Sequence, residues 1–171
     1  KTSLIQRYGF KTFSDAFQGT LGTKMHLLHL SKEIAAQDVV EADVSLFDLM
    51  GEHSARDHFR DALFWGSHGC IAVTDVTRPE TLDSLGEWTG IVRAIAGDIP
   101  YRILFNKADL LPNRALDTEF LRRLNAHFPY TPFSLVSAKT GSEGERAMTM
   151  FLEEVGDAVL EKSRARRAGR L

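Results

Sequence analysis

Apolar runs of the kind that build strands recur at residues 24–30, 44–48, 70–76, 102–106 and 133–136. Between them, apolar positions three to four apart predict helices over residues 3–8, 55–64, 80–95, 115–127 and 143–162. Thr77-Arg78-Pro79-Glu80 reads as the start signal of the third of these. Strands that alternate with helices pair in parallel, because each crossover returns the chain to the same end of the sheet. The first two strands have no helix between them. They are joined only by residues 31–43, so they are expected to form one antiparallel edge hairpin, with 31–43 as added length at its tip. The expected fold class is α/β: a mostly parallel sheet with helices on both faces. Residues 1–163 make its domain, and 164–171 a basic, disordered tail.

At 171 residues the chain suits one domain able to bury roughly two thirds of its unfolded surface. Its 43% hydrophobic and 26% charged residues are a globular balance, and a net charge of −2 provides no general attraction to nucleic acid. Cys70 is the single cysteine, which excludes a disulfide framework and cysteine-based zinc sites; it is expected to fill core space. No apolar run reaches the roughly eighteen residues of a spanning helix, and a cytoplasmic location is expected. The six histidines, His26, His29, His53, His58, His68 and His127, show no metal spacing, and His26 and His29 should face opposite sides of a strand.

In α/β sheets, ligands bind beyond the carboxyl ends of strands. Three polar motifs stand there: Asp48-Leu49-Met50-Gly51, Asn106-Lys107-Ala108-Asp109 and Ser137-Ala138-Lys139. A fourth opens the chain, where Lys1-Thr2 matches the last two letters of the phosphate-binding loop G-x-x-x-x-G-K-[ST] and precedes a helical pattern. In their order, spacing and strand context these motifs resemble those of the Ras superfamily of small GTPases, in particular its Rab-like branch, from Lys1 to about Val159.

The resemblance implies a P-loop NTPase fold of the Ras type, binding GTP or GDP with Mg²⁺. Asp109 would select guanine, since a carboxylate accepts from both the ring N–H and the exocyclic amino group. Asn106 would steady the loop and base, the stem of Lys107 would lie over the purine, and the Ala138 N–H, beside Ser137, would meet the guanine oxygen. Lys139 would pack on the other side. Lys1 would neutralise the β- and γ-phosphates, and the Ser3 N–H would meet the α-phosphate. Thr2 and Thr20 would hold Mg²⁺, with Asp48 reaching it through water. Counted without gaps from Lys1, the purine-flanking phenylalanine falls at Phe13. Gly51 would touch the terminal phosphate, and residues 17–25 and 52–64 would present a nucleotide-dependent surface to effector, activating and exchange proteins.

Four departures accompany the resemblance. Glu52 stands where a glutamine usually orients the attacking water; together with Lys1 it is the expected catalytic pair, and its charge implies altered turnover. Leu49-Met50 makes the second motif more apolar than is usual. The basic tail, with Arg164, Arg166, Arg167 and Arg170, has no cysteine to prenylate, so no lipid anchor is expected and any contact with an anionic membrane is weak. The six residues that open the phosphate loop, and the strand before them, would precede Lys1, so this chain is expected to be part of a longer polypeptide. The leading function is a GTP-hydrolysing switch. The alternative is a pseudo-GTPase or nucleotide-locked scaffold with little turnover.

Overall fold

A computed structural model of the chain describes residues 1–10, 23–35, 38–49, 62 and 64–169. They fall into two compact units, Lys1–His58 and Phe59–Leu171. The first unit opens with helix α1 (Thr2–Phe10), followed by strands β1 (Thr23–Ala35) and β2 (Asp38–Leu49). The two strands pair antiparallel, with Lys24 opposite Asp48, His26 opposite Leu46 and Leu28 opposite Val44. Period-two alternation gives the hairpin one half-buried face, carrying His26, Leu28, Val44 and Leu46, and one exposed face, carrying Met25, Leu27, His29 and Phe47. The helix covers part of the first face: Gly9 approaches Leu28, where an added Cβ would sit 3.5 Å from Leu28 Cδ2. Leu4 is the buried anchor of α1.

In the second unit β3 (Cys70–Asp75), β4 (Tyr101–Asn106) and β5 (Phe133–Leu135) form a parallel sheet in that order. Helices α2 (Thr81–Ala96), α3 (Thr118–His127) and α4 (Gly144–Arg167) alternate with them. Strands buried on both faces read as continuous apolar runs, and Ile103, Leu104 and Phe105 of β4 are almost fully buried. One face carries Ala72, Ile103 and Phe105 into a cluster with Leu82 and Leu85 of α2 and Phe120 and Leu124 of α3. The Phe105 and Phe120 rings meet edge to face with centroids 5.0 Å apart. Helix α4 buries Met148, Phe151 and Leu152. It runs so close to the chain entering β3 that a side chain at Gly69 would collide with Val155 and lie 2.8 Å from Phe151 Cζ.

Several boundaries differ from the sequence expectation. Residues 31–43 are strand on both sides of residues 36–37, with an irregularity between Glu33 and Ala35; they lengthen the ladder rather than loop from its tip. Helix α2 begins at Thr81, because Thr77 turns back onto Asp75 instead of capping the helix. Helix α3 begins at Thr118, where the Asp117 carboxylate accepts the Phe120 N–H at 2.7 Å; the residues before it make two short 3₁₀ turns. The basic segment is not a disordered tail from Arg164 onward, since α4 continues to Arg167. Cations in a last turn complement the helix dipole. Of the helix expected over 55–64, only 62 and 64 are among the described residues.

Candidate functional site

Strands β3 and β4 end in register, with Asp75 opposite Asn106, so both deliver polar side chains to one sheet edge. The Val76 N–H continues the ladder onto the Asn106 carbonyl at 3.1 Å. The chain then turns through Lys107, whose φ of 68° is left-handed. A lysine held there costs about 1–2 kcal/mol, so its surroundings must impose the turn. They do so by hydrogen bonding: the Ala108 N–H donates to the Val136 carbonyl at 3.1 Å, tying this loop to the segment after β5.

The two loops are then locked together by side chains. Asn106 Oδ1 accepts the Ala138 N–H at 3.0 Å, and the Ser137 hydroxyl donates to Asp109 Oδ1 at 2.5 Å. Ser137 is 1% exposed, and its Oγ also accepts the Thr140 N–H at 3.1 Å. The backbone closes the second loop, with the Ser137 N–H on the Ser142 carbonyl at 3.0 Å and the Gly141 N–H on the Ser137 carbonyl at 2.9 Å. Asn106, Lys107, Asp109, Ser137 and Ala138 thus share one hydrogen-bonded edge, with the Asp109 carboxylate at its exposed rim and Lys139 exposed beside it. The Ala138 N–H, assigned above to a base oxygen, is engaged by Asn106 here.

Two residues of this edge were missed from sequence. Lys107 Nζ pairs with Asp75 Oδ2 at 2.5 Å, while Asp75 Oδ1 accepts the Thr77 N–H at 3.0 Å and its hydroxyl at 2.7 Å. Partial burial opposes the Asp75 charge, but the Lys107 ammonium and the two Thr77 donors outweigh it and hold the carboxyl below its ordinary value. The signal was available, because Asp75 ends an apolar run as Asn106 does.

The first unit brings Thr2 and Asp48 together. The Thr2 hydroxyl donates to Asp48 Oδ2. Asp48 is 2% exposed, and its Oδ1 is buried without a partner among the described residues. A carboxyl oxygen buried without a partner is costly. A hydroxyl and a carboxylate with a vacant lone pair are the hard oxygen donors that Mg²⁺ takes, so these residues fit such an ion. Among the described residues no group of three or more His, Cys, Asp or Glu side chains converges, so a cation here would draw further ligands from water and phosphate. Thr2 and Ser3 lie in the first turn of α1, which carries no acidic residue to offset its positive end. Lys1 caps it, its carbonyl accepting the Leu4 and Ile5 N–H groups at 2.9 and 3.2 Å. Phe13, Thr20, Gly51, Glu52 and His53, with residues 17–22, lie outside the described residues; so does 52–64 apart from 62 and 64.

The parallel sheet with alternating helices is an α/β fold, and the sequence profile of the Ras family matches residues 1–157. The chain belongs to the Ras family. Among its relatives, Ras-related protein Rab-7b of Bos taurus is 35% identical over 114 residues, which are 64% of this chain and 54% of that protein. Ras-related protein Rab7 of Drosophila melanogaster is 29% identical over 156 residues, 88% of this chain and 72% of the relative. GTP-binding protein YPTM2 of Zea mays is 24% identical over 169 residues, 98% of this chain and 80% of the relative. Within that family the chain is similar to these Rab proteins. The match spans about half the length of the Rab-7b relatives.

Proposed function

We propose that this protein is a guanine-nucleotide switch that hydrolyses GTP. The observation that carries the reading is the locked edge at the ends of β4 and β5, where Ser137 holds the Asp109 carboxylate and Asn106 holds the Ala138 loop. A carboxylate fixed by a buried hydroxyl is pre-organised to accept the two adjacent N–H donors of guanine; adenine offers no such pair. The Lys107 stem supplies an apolar cover for the purine face. Thr2 and Asp48 would hold Mg²⁺, and Lys1 with the amides opening α1 would meet the phosphates. When bound, Mg²⁺ neutralises phosphate charge.

In the reaction a water oxygen adds to the γ-phosphorus, the bond to the β-phosphate oxygen breaks, and GDP and phosphate leave. Glu52 and Lys1 are the residues assigned to that end. An ionised glutamate accepts hydrogen bonds but cannot donate one to the γ-phosphate, so Glu52 sets a turnover different from that of a glutamine. Effectors, activating proteins and exchange factors would read residues 17–25 and 52–64, and the protein would work in the cytoplasm. Multiple-turnover phosphate release from GTP, with ATP as the control, tests the proposal. Release from GTP that is lost in Asp109→Ala supports it; equal release from both nucleotides overturns it. GTP bound tightly but never turned over would favour the locked scaffold.

A further inference from the structure

We infer that Asp75 is a positioning residue for base recognition, holding the Lys107 side chain as a preset cover for the purine; this rests on the guanine-nucleotide reading above.

The geometry is a relay of three residues. Thr77 donates twice to Asp75 Oδ1, through its N–H at 3.0 Å and its hydroxyl at 2.7 Å. That fixes the carboxylate plane and leaves Oδ2 aimed at Lys107 Nζ, 2.5 Å away. The Asp75 side chain is 18% exposed and Lys107 51% exposed, so the carboxylate, fixed by Thr77, is the more shielded partner and the lysine the more exposed one. The backbone is held as well, because Asp75 and Asn106 are register partners at the ends of β3 and β4.

A lysine side chain has about 2 kcal/mol of rotamer entropy to lose when it is ordered. Holding Nζ at Asp75 fixes both ends of the stem before any ligand arrives: the left-handed turn sets its Cα and the carboxylate its tip. The four methylenes between then span two fixed points. A base that meets this surface orders nothing further, so Asp75 contributes to affinity through pre-organisation without touching the base. Its effect belongs in nucleotide retention rather than in the hydrolytic step.

The test compares wild type, Asp75→Asn, Asp75→Glu and Thr77→Val in the full-length protein. Three quantities are read: the dissociation rate of fluorescent GDP, the single-turnover rate of bound GTP, and the NMR order parameters of the Lys107 methylenes without nucleotide. Asp75→Asn removes the charge and is expected to speed GDP dissociation roughly three- to tenfold, the modest size reflecting a half-exposed partner. Thr77→Val should give a smaller increase, and Asp75→Glu should recover part of the loss. The Lys107 stem should become mobile in Asp75→Asn, while hydrolysis of bound GTP stays within about twofold. A merely structural role would slow hydrolysis as well and leave Lys107 ordered. Unchanged GDP dissociation or unchanged Lys107 order in a folded Asp75→Asn protein overturns the inference. Should Asp75→Asn not fold, the Thr77→Val dissociation rate and Lys107 order decide by the same criterion. A wild type that does not prefer GDP over ADP refutes the nucleotide reading itself, and the positioning role with it.

Discussion

Ser137→Ala removes a single oxygen from the centre of the proposed base site. In the wild type that oxygen is 1% exposed with its residue, donates to Asp109 Oδ1 at 2.5 Å and accepts the Thr140 N–H at 3.1 Å. A hydrogen bond to an ionised group is worth about 1.5–3 kcal/mol. Asp109 and Thr140 are both exposed, so water replaces part of each lost bond, and about 1–1.5 kcal/mol is the expected net loss. The backbone bonds of Ser137 with Ser142 and Gly141 remain, so the loop keeps its path. If the hydroxyl acts by holding Asp109 against guanine, that loss appears in GDP affinity as a roughly tenfold rise in Kd. Equilibrium titration with fluorescent GDP measures it, and urea unfolding of the nucleotide-free protein measures stability alongside. Should Kd change by less than about twofold while stability falls by about 1 kcal/mol, Ser137 supports the loop only and the base-site argument fails.

Three further outcomes follow from the packing and the charges. Gly69→Ala drives a methyl into Val155 and Phe151 of α4, so a loss of about 1–3 kcal/mol and a melting temperature lower by roughly 2–10 °C are expected by thermal denaturation. Cys70, half-buried, has its thiol pushed up to about 12 by burial; it should resist a thiol reagent at pH 8 in the native protein and react fully in denaturant. Because the Asp75 carboxyl titrates below its ordinary value of 3.8 when folded, its pairing stabilises the protein above that pH, and the contribution is lost as pH falls through the lowered value. Asp75→Asn should therefore flatten the acid limb of stability against pH, and an unchanged limb would contradict the ion pair.

The fold class was legible because its strands announce themselves in two ways. Ile103, Leu104 and Phe105 form an unbroken apolar run because β4 is buried on both faces there, and each polar motif at a strand end marks the ligand edge. What escaped were elements whose pattern hides their structure. Residues 31–43 mix polar and apolar positions without a clean alternation, so they read as a loop, yet the antiparallel ladder runs through most of them. Arg164 to Arg167 read as a solvated tail because nothing apolar marks a buried face there, yet the helix backbone continues through them. Thr77 resembled a helix cap, and only the fold reveals that its donors serve Asp75. The Ser137–Asp109 bond, across 28 positions, depends on parallel pairing that brings two strand ends together, which no local pattern encodes.

The central claim is that a guanine base is read at Asp109 while Mg²⁺ and phosphate engage Thr2 and Asp48. Calorimetric titration of the full-length protein with GDP and with ADP, each with Mg²⁺ and with EDTA, tests it most directly. A site built to hydrogen-bond guanine should favour GDP by at least roughly a hundredfold, and EDTA should weaken GDP binding. Equal affinity for the two nucleotides, or no heat of binding from either, would contradict it.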